Sequence, residues 1–223
     1  GRHRFLFISF RHHNLPETRF QFCQISAQTK NRHHFGGNHN VKTILAREAV
    51  TGPTEGAGNV AQGAVIHVEC AAEGDAADVD AAVTNAAKAQ KEWAKLPARK
   101  RGALVHQCAA LLKEHVDELG RLIALETGKA LRTESRVEAN VVADVFEFFG
   151  GLGSELKGES VPFAPNVLSV TVREPLGVVG AIIPWNVPML LMALKVAPAL
   201  VAGNAEVVKS AEEAPLAVLR ICE

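Results

Sequence analysis

Tyrosine is absent from the 223 residues, and cysteine (four), methionine (two) and tryptophan (two) are sparse. Cys23, Cys70, Cys108 and Cys222 lie far apart, with neither a C-x-x-C pair nor a Cys/His ligand spacing. That pattern indicates no disulfide framework and no metal site, and it makes a reducing compartment the default. Long apolar runs are missing as well. Pro184, Trp185, Asn186, Pro188 and Lys195 interrupt the most apolar region, so no run of about eighteen residues is available to cross a bilayer. Net charge is also missing, since 24 basic residues balance 24 acidic ones, which points to neither nucleic acid nor an anionic membrane as partner.

The balance conceals an uneven distribution. Residues 1–47 hold eight Lys or Arg against one acid, Glu17, and residues 1–40 hold six of the nine histidines and six of the ten phenylalanines. No sustained helical or strand period runs through this opening. It reads as a mostly disordered extension, 1–50, that is nonfunctional or misassigned, with two alternatives. An Arg-rich, acid-poor start suits a mitochondrial transit peptide, although the amphipathic period is weak. A basic tail carrying phenylalanines also suits contact with single-stranded nucleic acid. Otherwise a cytoplasmic location is expected.

Regular texture begins near residue 64. "AVIHVE" alternates as a short strand does, and Gly74-Asp75 supply a turn and an N-cap for a helix that Pro97 stops. Val79, Ala82, Val83, Ala86 and Trp93 share one face of that helix. A second helix is expected over 99–127, with Leu104, Cys108, Leu111, Leu112, Leu119, Leu122 and Ile123 as its apolar stripe and Gly128 as its cap. A third is expected over 131–156. The pattern then changes to period two: "VLSVTVRE" reads as a strand with one face solvated or awaiting a partner chain. After a turn at 174–177, "GVVGAII" is apolar on both faces, as a central parallel strand is. A helix to Gly203, the strand "AEVVK" and the start of another helix complete a βαβ unit. Two strands cannot bury both faces of a parallel sheet, so the chain is expected to be a fragment of a longer protein.

The first of these strands runs directly into Pro184-Trp185-Asn186-Val187-Pro188. Open α/β sheets bind ligands at the carboxyl ends of their strands, and the two prolines keep the intervening backbone extended. The Asn186 amide then either donates to a developing oxyanion or caps the helix that follows. Lys209 and Glu212, at the end of the second strand, either bind the hydroxyls of a nucleotide ribose or form a solvated lysine with a helix-start acid. No G-x-G-x-x-G follows the first strand, and "ETGKA" lacks the first glycine and the Ser or Thr of a phosphate loop. The cysteines read as packed thiols, and His67, His106 and His115 as isolated side chains.

Three stretches in order, "AEGDAADVDAAVTNAAKAQKEWAKLPARKRGALV", "LIALETGKAL" and "VREPLGVVGAIIPWNVPMLLMALKVAPALVAGNAEVVKSAEEAPL", resemble the amino-terminal portion of the NAD(P)-dependent aldehyde dehydrogenase superfamily. The resemblance implies an incomplete α/β fold: N-terminal helices, a β oligomerisation arm and the first βαβ of a Rossmann-like cofactor domain. The implied divisions are 51–157, 158–175 and 176–223. In that family a cysteine thiolate attacks the aldehyde, hydride passes from the thiohemiacetal to the nicotinamide, and a glutamate-activated water releases the acid. The resemblance gives Asn186 the oxyanion role, Ile182, Ile183, Pro184 and Trp185 the nicotinamide side of the cofactor, and Lys209 and Glu212 the adenosine ribose. NAD or NADP is the implied cofactor, NAD weakly favoured because Glu212 would repel a 2′-phosphate. An aldehyde is the implied substrate, and a homo-oligomer the implied assembly of the intact protein. Val187 and Ser210 stand where the family usually has an aromatic and a proline, and Glu206 is a charge on a strand that is usually apolar. The family's catalytic cysteine and general-base glutamate are expected beyond Glu223, which leaves the chain inactive by itself. The alternative is a non-enzymatic interaction module that works through its arm or its basic tail.

Overall fold

The computed structural model describes residues 6–8, 10–11, 21–22 and 76–222. The strand expected at 64–69 and the N-cap expected at Asp75 lie outside the described residues. Within the basic opening there are three short strands, β1 (Leu6–Ile8), β2 (Phe10–Arg11) and β3 (Gln21–Phe22), where the sequence shows no sustained period. β2 pairs with β3, and β1 pairs with a strand near the other end of the chain.

Helix α1 (Ala76–Ala94) buries Ala82, Ala86 and Trp93, whereas Val83, placed on the same face from the sequence, is 42% exposed. The helix expected over 99–127 is two helices, α2 (Ala98–Glu114) and α3 (Val116–Thr127). They break at His115, whose φ of −102° and ψ of 11° leave its N–H shared between the carbonyls of Leu111 and Leu112. An unbroken apolar stripe does not reveal that break, because the helix resumes at once and Leu119, Leu122 and Ile123 still face inward. Leu111, counted in the stripe, is exposed. α3 ends at Gly128 in the left-handed region, φ 75°. A π-helical turn, Leu131–Ser135, leads into α4 (Arg136–Gly151). α2 and α4 cross closely because Gly102 and Gly150 meet there: a Cβ at Gly102 would lie 2.4 Å from the Gly150 carbonyl oxygen.

The proposed arm is a hairpin of β4 (Ser160–Ala164) and β5 (Val167–Val170), turning through Asn166 at φ 66°. Its ladder pairs Ser160 with Val170 and Pro162 with Leu168. Phe163 and Leu168 are about four-fifths exposed, and among the described residues nothing covers either face of the hairpin.

β6 (Val178–Ile182), α5 (Pro188–Ala202) and β7 (Ala205–Lys209) form the parallel βαβ unit, and α6 (Leu216–Ile221) follows. The strand order is β1-β7-β6. Among the described residues β7 is the middle strand and β6 has one neighbour, so that Ile182 is 70% exposed. Ala82 and Ala86 of α1 pack against Val178, Ala205 and Val207 on one face. On the other, Ala181, Ile183 and Val208 join α5, with α2 and α4 in the same core. α5 is thus enclosed between sheet and helices, and this fixes the direction in which the chain between β6 and α5 must turn.

Candidate functional site

The parallel register sets Ile182 beside Lys209, so the two strands end together and their following loops share one edge of the sheet. Ile183 extends the ladder by one residue, its N–H donating to the Lys209 carbonyl at 2.9 Å. The Ile183 side chain is buried in the core at 2% exposure. It can therefore offer a cofactor its backbone only, whereas Ile182 and Trp185 present apolar surface to solvent. Pro184 is half-buried between them. Lys195, about two helical turns into α5, donates from Nζ to the Ile182 carbonyl and ties the strand end to the helix.

Val187 holds the N-cap position of α5 with φ −141° and ψ 62°, and makes no side-chain cap. Pro188 suits the first helical position, where a missing N–H costs nothing. The free donors of the first turn are satisfied from another element. Glu138 of α4 accepts from the N–H of Met189 at 3.2 Å and of Leu190 at 3.4 Å through Oε1, while Oε2 pairs with Lys129 at 2.5 Å. Asn186 therefore does not cap α5. Its side chain is exposed and makes no hydrogen bond among the described residues, which leaves the amide N–H₂ available to a ligand.

At the end of β7, Lys209 is largely buried and lies 4.0 Å from the Glu212 carboxylate, which is more open to solvent. The chain then passes to α6, whose first N–H groups are also capped from a distance: Glu126 of α3 accepts from Leu216 at 2.6 Å and Ala217 at 3.2 Å. Burial pushes the Glu126 carboxyl up to about 7, against those two hydrogen bonds. The thiols of this region are packed, not poised. Burial pushes Cys108 up to about 11, and Cys222 is buried with Sγ donating to the Val218 carbonyl at 3.1 Å. Cys108 is therefore a thiol, not a thiolate, near neutral pH.

Sequence reasoning assigned no role to Glu126 or Glu138. The available signal was an acid embedded in an apolar helical stripe, Glu138 between Ser135 and Val142 and Glu126 three residues after Ile123, since a buried acid needs donors.

A parallel βαβ unit with polar side chains gathered at the carboxyl edge of its strands is the arrangement in which open α/β folds bind ligands. Residues 60–223 match the family described as the aldehyde dehydrogenase family, and the chain belongs to it. Among solved structures it is similar to PnpE from Pseudomonas sp. WBC-3 at 40% identity, covering 65% of this chain and 30% of that one with a TM-score of 0.63. It is 38% identical to a double mutant of betaine aldehyde dehydrogenase from Staphylococcus aureus in complex with NAD⁺, over 65% of this chain and 29% of that one, TM-score 0.63. It is 36% identical to a 3,6-anhydro-L-galactose dehydrogenase in complex with NADP, over 66% and 31%, TM-score 0.63. The chain spans about 30% of the length of the solved structures it matches. The fold is accordingly an incomplete aldehyde dehydrogenase fold. No helix among the described residues is long and apolar enough to cross a membrane.

Proposed function

We propose that the chain supplies the cofactor edge and the oxyanion donor of an enzyme that oxidises an aldehyde to a carboxylic acid with NAD⁺ or NADP⁺. The observation that carries the reading is the release of Asn186 from helix capping. A short amide on a backbone fixed by two prolines, with no partner among the described residues, is a preorganised donor, and such donors lower a barrier by several kcal/mol.

The residues fit a nicotinamide dinucleotide. The exposed Ile182 and Trp185 surface offers an apolar bed at the strand edge, and Lys209 with Glu212 offers donor and acceptor to a ribose diol. When bound, the oxidised nicotinamide takes up the hydride removed from the aldehyde carbon. Asn186 donates to the carbonyl oxygen as negative charge gathers on it. Lys209 and Glu212 orient the adenosine end, and the Glu212 carboxylate favours NAD⁺ by repelling a 2′-phosphate. Neither the nucleophile nor the general base is assigned to a residue of this chain. The chain spans about 30% of the length of its solved relatives; we assign both roles to the length it does not span, so that the chain alone turns over negligibly. The hairpin's uncovered Phe163 and Leu168 suit association with a second copy of the intact protein.

Expression of the reading frame continued past Glu223, followed by reduced-cofactor absorbance over a panel of aldehydes, tests this. Aldehyde-dependent reduction is expected, with Asn186→Ala lowering kcat by about 10²-fold. A folded product that reduces no cofactor with any aldehyde defeats the enzymatic reading. Subunit exchange through the hairpin without turnover would then favour the interaction module.

A further inference from the structure

The backbone that carries Asn186 has a specific external support. Pro184 to Val187 contains no side chain that bonds to its own helix start, so its position depends on what fixes the first turn of α5. At one end Lys195 holds the Ile182 carbonyl. At the other, one oxygen of Glu138 takes two successive N–H groups, Met189 and Leu190, and the second oxygen is held by Lys129, just past the end of α3. The Glu138 side chain is 4% exposed and Lys129 21%. Met189 is fully buried, so without that carboxylate its N–H has no water to turn to. The arrangement fixes rotation as well as position, because the Lys129 contact prevents the carboxylate from turning away from α5.

We propose that Glu138 is a positioning residue for the reaction: it acts through the N-terminus of α5 to hold the Asn186 amide where the oxyanion forms. This rests on the reading of Asn186 as the donor. What matters in the proposal is reach. One methylene less withdraws the carboxylate from both N–H groups while keeping its charge, whereas an amide of equal length keeps an acceptor oxygen within reach of both N–H groups and gives up the charge and the Lys129 contact.

The test therefore compares Glu138→Asp with Glu138→Gln, in the chain and in the enzyme expressed from the continued frame. In the chain, amide hydrogen exchange at Met189 and Leu190 should quicken about tenfold or more in the Asp variant and much less in the Gln variant. In the enzyme, the Asp variant should lose about tenfold in kcat with the cofactor KM unchanged, and the Gln variant should stay within about threefold of the parent. If Gln is the more damaging change, charge outranks reach and the proposal fails. Equal kcat for both variants and parent also overturns it, as does a parallel loss of kcat and cofactor affinity, which marks general loosening of the fold. A parent enzyme that oxidises no aldehyde defeats the reading of Asn186 and this role with it. A parent that turns over normally while the two variants match it defeats the role of Glu138 alone.

Discussion

Replacing Glu206 should stabilise the protein, by an amount that grows with pH. Glu206 lies in the middle strand β7, paired with Val179 on one side and Ile8 on the other. Its side chain is 1% exposed, and neither carboxyl oxygen has a hydrogen-bond partner among the described residues. Burial pushes the group up to about 8 from an ordinary 4.5, with the charge of Lys195 opposing the shift. The sign follows from linkage. The unfolded chain releases this proton near its ordinary value and the folded chain retains it, so folding stability is whole below pH 4.5 and declines as pH rises to about 8. That shift amounts to roughly 5 kcal/mol over the whole window, of which roughly 3 kcal/mol is already lost at pH 7. Glu206→Gln, which cannot ionise, should match the parent near pH 5 and exceed it progressively above. Glu206→Val should add a pH-independent gain of about 1–3 kcal/mol by removing an unsatisfied buried group. Urea unfolding from pH 5 to 8.5 measures both. Glu126, pushed up to about 7, has the same sign in a lower window, so the Gln variant keeps its slope below pH 7 and flattens above it. A Gln variant whose slope between pH 7 and 8 equals the parent's refutes the reasoning.

Two further changes probe the packing behind the site. Gly150→Ala introduces a Cβ 2.7 Å from the His106 backbone nitrogen and 2.9 Å from the Gly102 carbonyl oxygen, which forces α2 and α4 apart. A loss of about 1–3 kcal/mol is expected in chemical unfolding, and a variant as stable as the parent contradicts the close crossing. Trp93→Phe removes the bond from Nε1 to the Leu200 carbonyl at 2.8 Å, which anchors α1 to the end of α5. About 1–2 kcal/mol is expected from the lost bond and the smaller ring, read from the shift in urea midpoint at constant slope.

The elements legible in the sequence were those whose signals are local. Pro97 stopping α1, Gly128 capping α3 and the strand-helix-strand succession of β6, α5 and β7 all appear where spacing and turn chemistry place them, whereas the strand expected over 167–174 is shorter, Val167–Val170, and its partner β4 was not marked by periodicity. The break at His115 was not legible, because it interrupts the backbone ladder without interrupting the apolar stripe. Nor was the pairing of β1 with β7: which strands flank a given strand is a long-range matter, and composition constrains it only loosely. At the site, Asn186, Lys209 and Glu212 were picked out because polar residues at strand ends stand out against apolar neighbours. Whether Asn186 capped α5 depended on Glu138, 51 residues away from Met189, and no local pattern contains that information.

Two buried acids and a half-buried one show why residue type alone could not have sorted these roles. Glu138 receives two backbone N–H groups and an ammonium. Glu126 receives two N–H groups and no cation within ion-pair distance among the described residues, and burial pushes it up to about 7. Glu206 receives nothing among the described residues and is pushed up to about 8. All three are acids amid apolar neighbours, so the sequence presents them alike. What separates them is donor supply: a helix start gives an acid fixed N–H groups, while the middle of a ladder has already spent its N–H groups on strand pairing. An acid aimed at a helix start can hold the loop that precedes the helix, whereas Glu206, without a donor among the described residues, resists ionisation. Glu138 and Glu126 accordingly stand behind the two loops that carry Asn186 and Glu212, and Glu206 stands behind neither.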